Sequence, residues 1–429
     1  MGQAHAAIFL LGLFAVSCNQ DPIFYTISTE PAPIKPLIEG GPTNMAVFNR
    51  EYPAPDHPEL TKSVPILYVA SGGLHWYAKS EKGTGNSQWD LDEYKIDQPG
   101  GKIISIAATP ERLYALCMEG HGVNANLRYI ESGSTSWKDI AVSPDYPLIQ
   151  SIHADPDAER LFAGARKDSR EKAMYAILYL DDSDRFQTLK EETEIFSGAV
   201  CRDNIYYLST IGDGISRVSK SDIAQNNINE NTVKRLTDAS DINADERSDS
   251  RVFVGMIKLG NAAVIAVERN GGTLYEVGEG SFKKIKYSGG DKAGEWIETG
   301  KYATGALALW ENYMEPQEKL LIAGIQGGLY STTTSSYTHG FVEFELNSED
   351  GSLKTNAPRH DSGNLKSIIG DLDQDRYTAT IGKHPVNYLF QAPAGVDGAM
   401  TFFASTQTAG LWSYRDRPDN GGWQWNAEE

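Results

Sequence analysis

Hydrophobic positions along this chain come in short runs that end at glycine, and residues 66–78 set the pattern. Ile66-Leu67-Tyr68-Val69-Ala70 leads into Ser71-Gly72-Gly73, and Leu74-His75-Trp76-Tyr77-Ala78 follows. β-Branched and aromatic residues on both sides of a Gly-Gly pair predict two antiparallel strands joined by a tight turn. The clearest copy spans 320–330, with Gly327-Gly328 at its turn, and another spans 264–275, with Gly271-Gly272. Looser copies run over 206–215 and 402–412. A repeated hairpin that cannot bury both faces alone needs its neighbours, so the chain should close into an array of β-units.

The units can be laid out on the leading apolar residue of each second strand: Leu67, Leu113, Leu161, Tyr206, Val264, Leu320 and Phe402. Successive anchors lie 46, 48, 45, 58, 56 and 82 residues apart, against about 40–50 for one blade of a propeller, so the later units carry insertions. A candidate inner strand precedes each anchor, at 45–49, 103–108, 149–154, 195–200, 252–258, 306–310 and 386–391. Shorter outer strands follow at 89–96, 137–142, 186–189, 282–287 and 423–427. The pattern predicts an all-β fold, a β-propeller of four-stranded antiparallel blades, seven in number. The sixth unit leaves two third strands open, 329–333 or 341–346, which puts the count at risk by one. A sandwich does not explain the spacing, and a solenoid would want shorter, more uniform coils.

Ahead of the units, residues 6–16 form an apolar run too short to span a bilayer, ending in Ala15-Val16-Ser17-Cys18. This resembles a bacterial lipoprotein signal, which implies cleavage before Cys18 and lipidation of its thiol. It departs from the usual pattern in having no Leu before the small residues and no Lys or Arg at the start. The expected organisation is a signal peptide at 1–17, a lipidated, proline-spaced stalk at 18–42 and a propeller at 43–429. Residues 23–28 are β-branched and aromatic, and they are either an extra edge strand or part of the tether.

Composition fits strands joined by turns: 41 Gly and 19 Pro are more than a helical bundle would carry. The net charge of -19 argues against nucleic acid and against an anionic lipid surface, leaving the N-terminal lipid as the sole membrane attachment. Besides Cys18 there are only Cys117 and Cys201, in non-adjacent units, so both should be free, buried thiols.

Residues 128–140, Arg-Tyr-Ile-Glu-Ser-Gly-Ser-Thr-Ser-Trp-Lys-Asp-Ile, are similar to the Asp-box of sialidase-like propellers, a strand, a glycine turn and a Trp at the next strand. Glu131 stands where no Asp precedes the glycine, and one extra residue lies before Trp137; Trp89 and Trp423 echo the arrangement more weakly. That resemblance implies a structural turn whose Trp packs between blades. Taken whole, residues 18–429 resemble the uncharacterised β-propeller lipoproteins of spirochaete-type bacteria, which implies a fold and an address but no activity.

Chemistry then has to come from loops. Asp371, Asp373 and Asp375 begin a calcium-loop pattern, but Arg376 replaces the turn glycine and no Glu closes a twelve-residue loop. His339, His360 and His384 match no zinc spacing, and no nucleophile elbow, phosphate loop or Cys-x-x-Cys pair occurs, so no cofactor is expected. His75 and His121 belong to hairpin turns that could face the channel mouth. Trp296, Tyr302 and Tyr313 bracket the inserted connection into the sixth unit, with Tyr337 in the next loop; exposed, they offer a stacking face for a sugar or an anchor for a protein. Trp310, ending an inner strand, is read as buried. These features point to a lipid-anchored binding or scaffold propeller for a protein or glycan partner. The alternative is a glycan hydrolase or lyase using a carboxylate pair over the channel.

Overall fold

Most second strands are apolar at nearly every position because they are covered on both faces. In Arg112–Met118, Leu113, Ala115 and Cys117 pack toward the preceding sheet, while Tyr114 and Leu116 pack toward the following one. A strand buried on both sides loses the polar half of its period-2 alternation. The computed structural model describes residues 38, 44–54, 57–78, 89, 96–119, 125–155, 159–167, 175–192, 196–209, 214–229, 231–239, 252–260, 263–290, 292–299, 302–312, 319–328, 340–356, 385–393, 400–406, 410–417 and 422–428. The chain divides into two compact units, Met1–Ile34 and Lys35–Glu429, and every described residue belongs to the second.

The described residues form seven sheets, numbered here in chain order. Their inner strands are Asn44–Ala54, Lys102–Ala108, Leu148–Asp155, Phe196–Cys201, Phe253–Leu259, Tyr302–Glu311 and Val386–Ala392. Each pairs antiparallel with its second strand: His57–Ser71, Arg112–Met118, Arg160–Arg166, Asn204–Ser209, Ala263–Glu268, Lys319–Gly328 and Thr401–Thr406. All the sequence anchors fall on these second strands. Every inner strand packs against the next, and that of sheet 7 returns to that of sheet 1, so the sheets stand in a closed ring. The chain is a β-propeller, an arrangement that leaves only short, protected edges.

One apolar cluster fills each gap between neighbouring sheets. Tyr207 and Val218 of sheet 4 meet Phe162 and Tyr179 of sheet 3, for example, and Val264 and Phe253 of sheet 5 meet Tyr206 and Ile215 of sheet 4. Each fully buried aromatic or branched side chain contributes about 1.5–3 kcal/mol, so the inter-sheet clusters hold the ring together. Sheets 4 and 5 are also strapped at their outer edges. After Lys234–Arg235 in sheet 4, Leu236 is buried and Thr237–Asp238 joins sheet 5 in parallel with Ser281–Lys284. Cys117 and Cys201 are free and buried, in sheets 2 and 4, as expected.

Two expectations need correction. Gly327 and Gly328 are not a turn: they pair with Ala303 and Tyr302 at the end of the second strand, and the third strand is Gly340–Glu345. The choice within the sixth unit is thereby resolved in favour of the later segment. Sheets 2, 3, 4 and 7 have the expected four strands; among the described residues sheets 1 and 6 have three and sheet 5 has five. The Asp-box-like Trp137 lies just before the outer strand, Lys138–Ile140, rather than opening it. Its ring packs against the cluster between sheets 1 and 2, and its Nε1 donates to the Asp97 carbonyl at 2.6 Å.

Candidate functional site

The inner strands of sheets 2 to 7 share a defect. In each, the pairing with the second strand skips one residue: Ile104, Gln150, Ser197, Val254, Gly305 and Asn387. A bulge puts an extra residue into one strand, bends it and increases its twist. All six extra residues face one cavity of about 770 Å³. Asn44 completes the circuit from sheet 1, so the cavity is the channel at the centre of the ring.

Polar side chains stitch the channel wall from sheet to sheet. Asn44 Oδ1 accepts from the Ile106 amide at 2.9 Å and its Nδ2 donates to Ser105 Oγ at 3.2 Å. Ser105 Oγ donates to the Ile152 carbonyl at 3.3 Å, and Ser151 Oγ donates to the Phe196 carbonyl at 3.2 Å. On the far side, Gln391 bridges both backbone groups of Glu311, accepting from its N–H at 2.9 Å and donating to its C=O at 2.7 Å. Gln326 Nε2 reaches past Gly305 to Asn387 Oδ1 at 3.1 Å. Tyr388 donates to the Met45 carbonyl at 3.4 Å, and burial of its hydroxyl pushes its pKa to about 12. These bonds fix the wall of the channel and leave its character to the side chains that project from it.

Those side chains divide the channel. Gln150 and Ser197 are exposed to the cavity from sheets 3 and 4, beside His153. Opposite, from sheets 5 to 7, the lining includes half-buried Met256, Leu307, Leu309, Tyr388, Phe390 and Met400, beside Asn387 and Gln391, whose amides are bonded to Gln326 and Glu311. The Tyr388 and Phe390 rings lie nearly parallel, with centroids 6.3 Å apart. Glu311 is the one carboxylate among the described lining residues, and Lys319 Nζ holds it at 2.6 Å. Glycoside cleavage needs two carboxyl groups facing each other, and the described lining supplies no such pair.

Of the residues singled out from sequence, the described ones fall elsewhere. His75 sits on the third strand of sheet 1, opposite Val69, and is not among the channel-lining residues. Trp296 is half-buried and carries two lysines over its ring, Lys286 Nζ at 4.2 Å and Lys284 Nζ at 5.3 Å from the centroid. Its backbone bridges to Lys286, so it belongs to the rim of sheet 5 and its ring already has cationic partners. Tyr302 begins the inner strand of sheet 6 and pairs with Gly328. Cys18, His121, Tyr313, Tyr337, His339, His360, His384, Asp371, Asp373 and Asp375 lie outside the described residues, as does the segment 23–28. Trp310 is buried, as expected, with its ring edge-on to Tyr414 at 6.4 Å. Among the described residues no cluster of His, Cys, Asp and Glu could hold a metal ion, and no helix is long and apolar enough to cross a membrane.

The sequence reading missed the bulge residues and the Tyr388–Phe390 face. The signal was present in a weak form: Ile103-Ile104-Ser105-Ile106 and Leu148-Ile149-Gln150-Ser151-Ile152 each break alternation by one residue at the bulge.

No protein-family model matches the chain, and no curated protein matches it at a significant level. Among solved structures it is similar to YCF48 bound to D1 peptide, at 13% identity over 89% of this chain and 95% of that one, with a TM-score of 0.44. It is similar to the extracellular domain of BT4673 from B. thetaiotaomicron at 12% identity and TM-score 0.44; the match covers 89% of this chain but 39% of that one. A chain of the Mitotic Checkpoint Complex matches at 10% identity and TM-score 0.44, over 93% of this chain and 96% of that one. The propeller assignment rests on the closed ring of sheets itself.

Proposed function

We propose that this chain is an exported, lipid-anchored β-propeller that binds a protein or glycan partner, with the central channel as its binding site. The observation that carries this reading is the cavity of about 770 Å³, lined by all the inner strands. Its size falls within the range of ligand pockets, about 300–1,000 Å³, and side-chain hydrogen bonds join sheets 1 to 4 and sheets 6, 7 and 1 around its wall. That the described lining holds one carboxylate, itself paired, favours binding over glycan cleavage. Export and anchoring are supported by Cys18 after a short apolar run. The test is recovery of the tagged full chain from detergent-solubilised membranes after mild crosslinking. A partner co-purifying in defined ratio is expected; recovery of the chain alone overturns the reading.

A further inference from the structure

We infer that the channel takes an uncharged, amphipathic segment of a partner polypeptide, with an apolar side chain against sheets 5 to 7 and its amides toward sheets 3 and 4. This rests on the binding role proposed above and narrows it to one class of ligand.

Charge is the first argument. The molecule carries -19 overall, yet the described lining residues include no Lys or Arg and one carboxylate, Glu311, which Lys319 neutralises. A charged group entering this channel would lose its water without finding a counter-ion, at a cost of several kcal/mol. An uncharged occupant avoids that cost.

Shape and chemistry supply the second. Met256, Leu307, Leu309 and Met400 form an aliphatic wall continued by Phe390. Methionine is flexible and polarizable, and suits side chains of varied outline. A saccharide has little aliphatic surface to set against such a wall, whereas Leu, Met or Phe of a peptide matches it. On the other side Gln150 offers an amide and Ser197 a hydroxyl, both exposed to the cavity, and these are donors and acceptors for a peptide backbone. The bulges put them there, because each adds one residue that is released from strand pairing and projects inward.

The probe is a pool of N-acetylated, C-amidated hexapeptides, passed over the immobilised full chain alongside a pool of neutral oligosaccharides. Retained peptides should be enriched in Leu, Met and Phe and depleted of Asp, Glu, Lys and Arg. Two variants locate the site: Leu307→Asp places a charge in the apolar wall, and Ser197→Phe fills the cavity from an exposed position. Each should lower retention about tenfold or more, the effect of losing a central contact. Ser197→Phe keeps the test valid if Leu307→Asp fails to fold, since it removes no core packing. Retention of charged peptides, of no peptide, or of saccharides in place of peptides overturns the inference, as does retention that Ser197→Phe leaves unchanged. A membrane partner captured equally by wild type and Ser197→Phe would sink the channel assignment while leaving the binding role intact.

Discussion

Trp89 and Glu428, 339 positions apart, meet in the seam between the first and last sheets, where Trp89 Nε1 donates to Glu428 Oε2 at 3.2 Å. Glu428 is 1% exposed and its amide is bonded to the Leu411 carbonyl, while Leu411 N–H donates to Ile38. Trp89 also packs edge-on against Phe403 at 6.4 Å, within a cluster that includes Met45, Leu67 and Val69. A propeller closed by packing between its two ends depends on this cluster. Trp89→Ala should therefore cost about 3–5 kcal/mol, as for other buried large-to-small changes. Equilibrium urea unfolding checks it; a loss under about 1 kcal/mol would mean the seam is held elsewhere.

A second inter-sheet contact rests on Arg50, an inner-strand residue of sheet 1 that is 1% exposed. Its Nη1 donates to the Glu131 carbonyl at 2.8 Å and its Nη2 to the Ser134 carbonyl, both in the Asp-box-like turn of sheet 2. Ser132 Oγ returns a bond to the Asn49 carbonyl at 2.8 Å. Hydrogen bonds from a charged donor contribute about 1.5–3 kcal/mol each, so Arg50→Met should destabilise by about 2–4 kcal/mol. Arg50→Lys should recover only part, because an ammonium cannot span two carbonyls in the plane of a guanidinium fork. Urea midpoints for the three proteins test the order wild type, Lys, Met.

How far this architecture was legible depends on burial. The second strands were readable because both faces are covered, which leaves runs such as Leu113-Tyr114-Ala115-Leu116-Cys117 with no polar break. Gly327-Gly328 misled because a Gly-Gly pair carries the same turn signal at the end of a long strand as between two strands. The candidate site was harder. Aromatics near polar loops, such as Trp296, drew notice, but its partners Lys284 and Lys286 reach it only through the fold. The channel residues came from bulges, and one inserted residue such as Gln150 shifts every later side chain to the other face, which hides the pattern that would reveal it.

Gly272 shows the opposite case, a turn glycine whose role was correctly legible. It adopts φ +59 after Gly271 at φ +80, between strands Ala263–Glu268 and Leu274–Val277. A Cβ there would stand 1.9 Å from Thr299 Oγ1 and 2.5 Å from Thr304 Oγ1, and both threonines are fully buried. The left-handed backbone alone costs a non-glycine residue about 1–2 kcal/mol. With the clash added, Gly272→Ala should lose about 2–4 kcal/mol, whereas Gly133→Ala, which meets nothing within 4 Å and lies in ordinary backbone, should change stability by about 0.5 kcal/mol or less. Thermal unfolding of the pair makes the comparison.

Alkaline conditions should weaken the fold at defined points. Burial pushes the Cys117 thiol to about 11 from 9.0, and the Tyr388 hydroxyl to about 12 from 10.0. Above pH 9 the unfolded chain therefore releases protons that the native chain keeps, so stability falls as pH rises. The contribution is full below about pH 9 and is lost through pH 11 and 12. Urea midpoints measured from pH 8 to 11 should decline, and Cys117→Ala should flatten the part of the decline that begins near pH 9. Native Cys117 and Cys201 should also resist iodoacetamide at pH 8 and react once urea unfolds the chain.

Cys18 provides the sharpest test of address. It precedes Ile38, the first described core residue, by 20 positions, so Cys18→Ser removes nothing from the inter-sheet clusters and the propeller should fold with an unchanged melting temperature. Attachment is a different matter. Each buried methylene of an acyl chain contributes about 0.8 kcal/mol to membrane binding, and a surface of net charge -19 is repelled by anionic headgroups. Without the proposed acyl chains, no electrostatic hold would replace them. Fractionation of cells expressing each form, followed by a high-salt wash, should leave wild type in the membrane pellet and release Cys18→Ser to the supernatant. Retention of the variant after signal cleavage would mean either that the anchor assignment is wrong or that a membrane-embedded partner holds the propeller, and crosslinking that variant would separate the two.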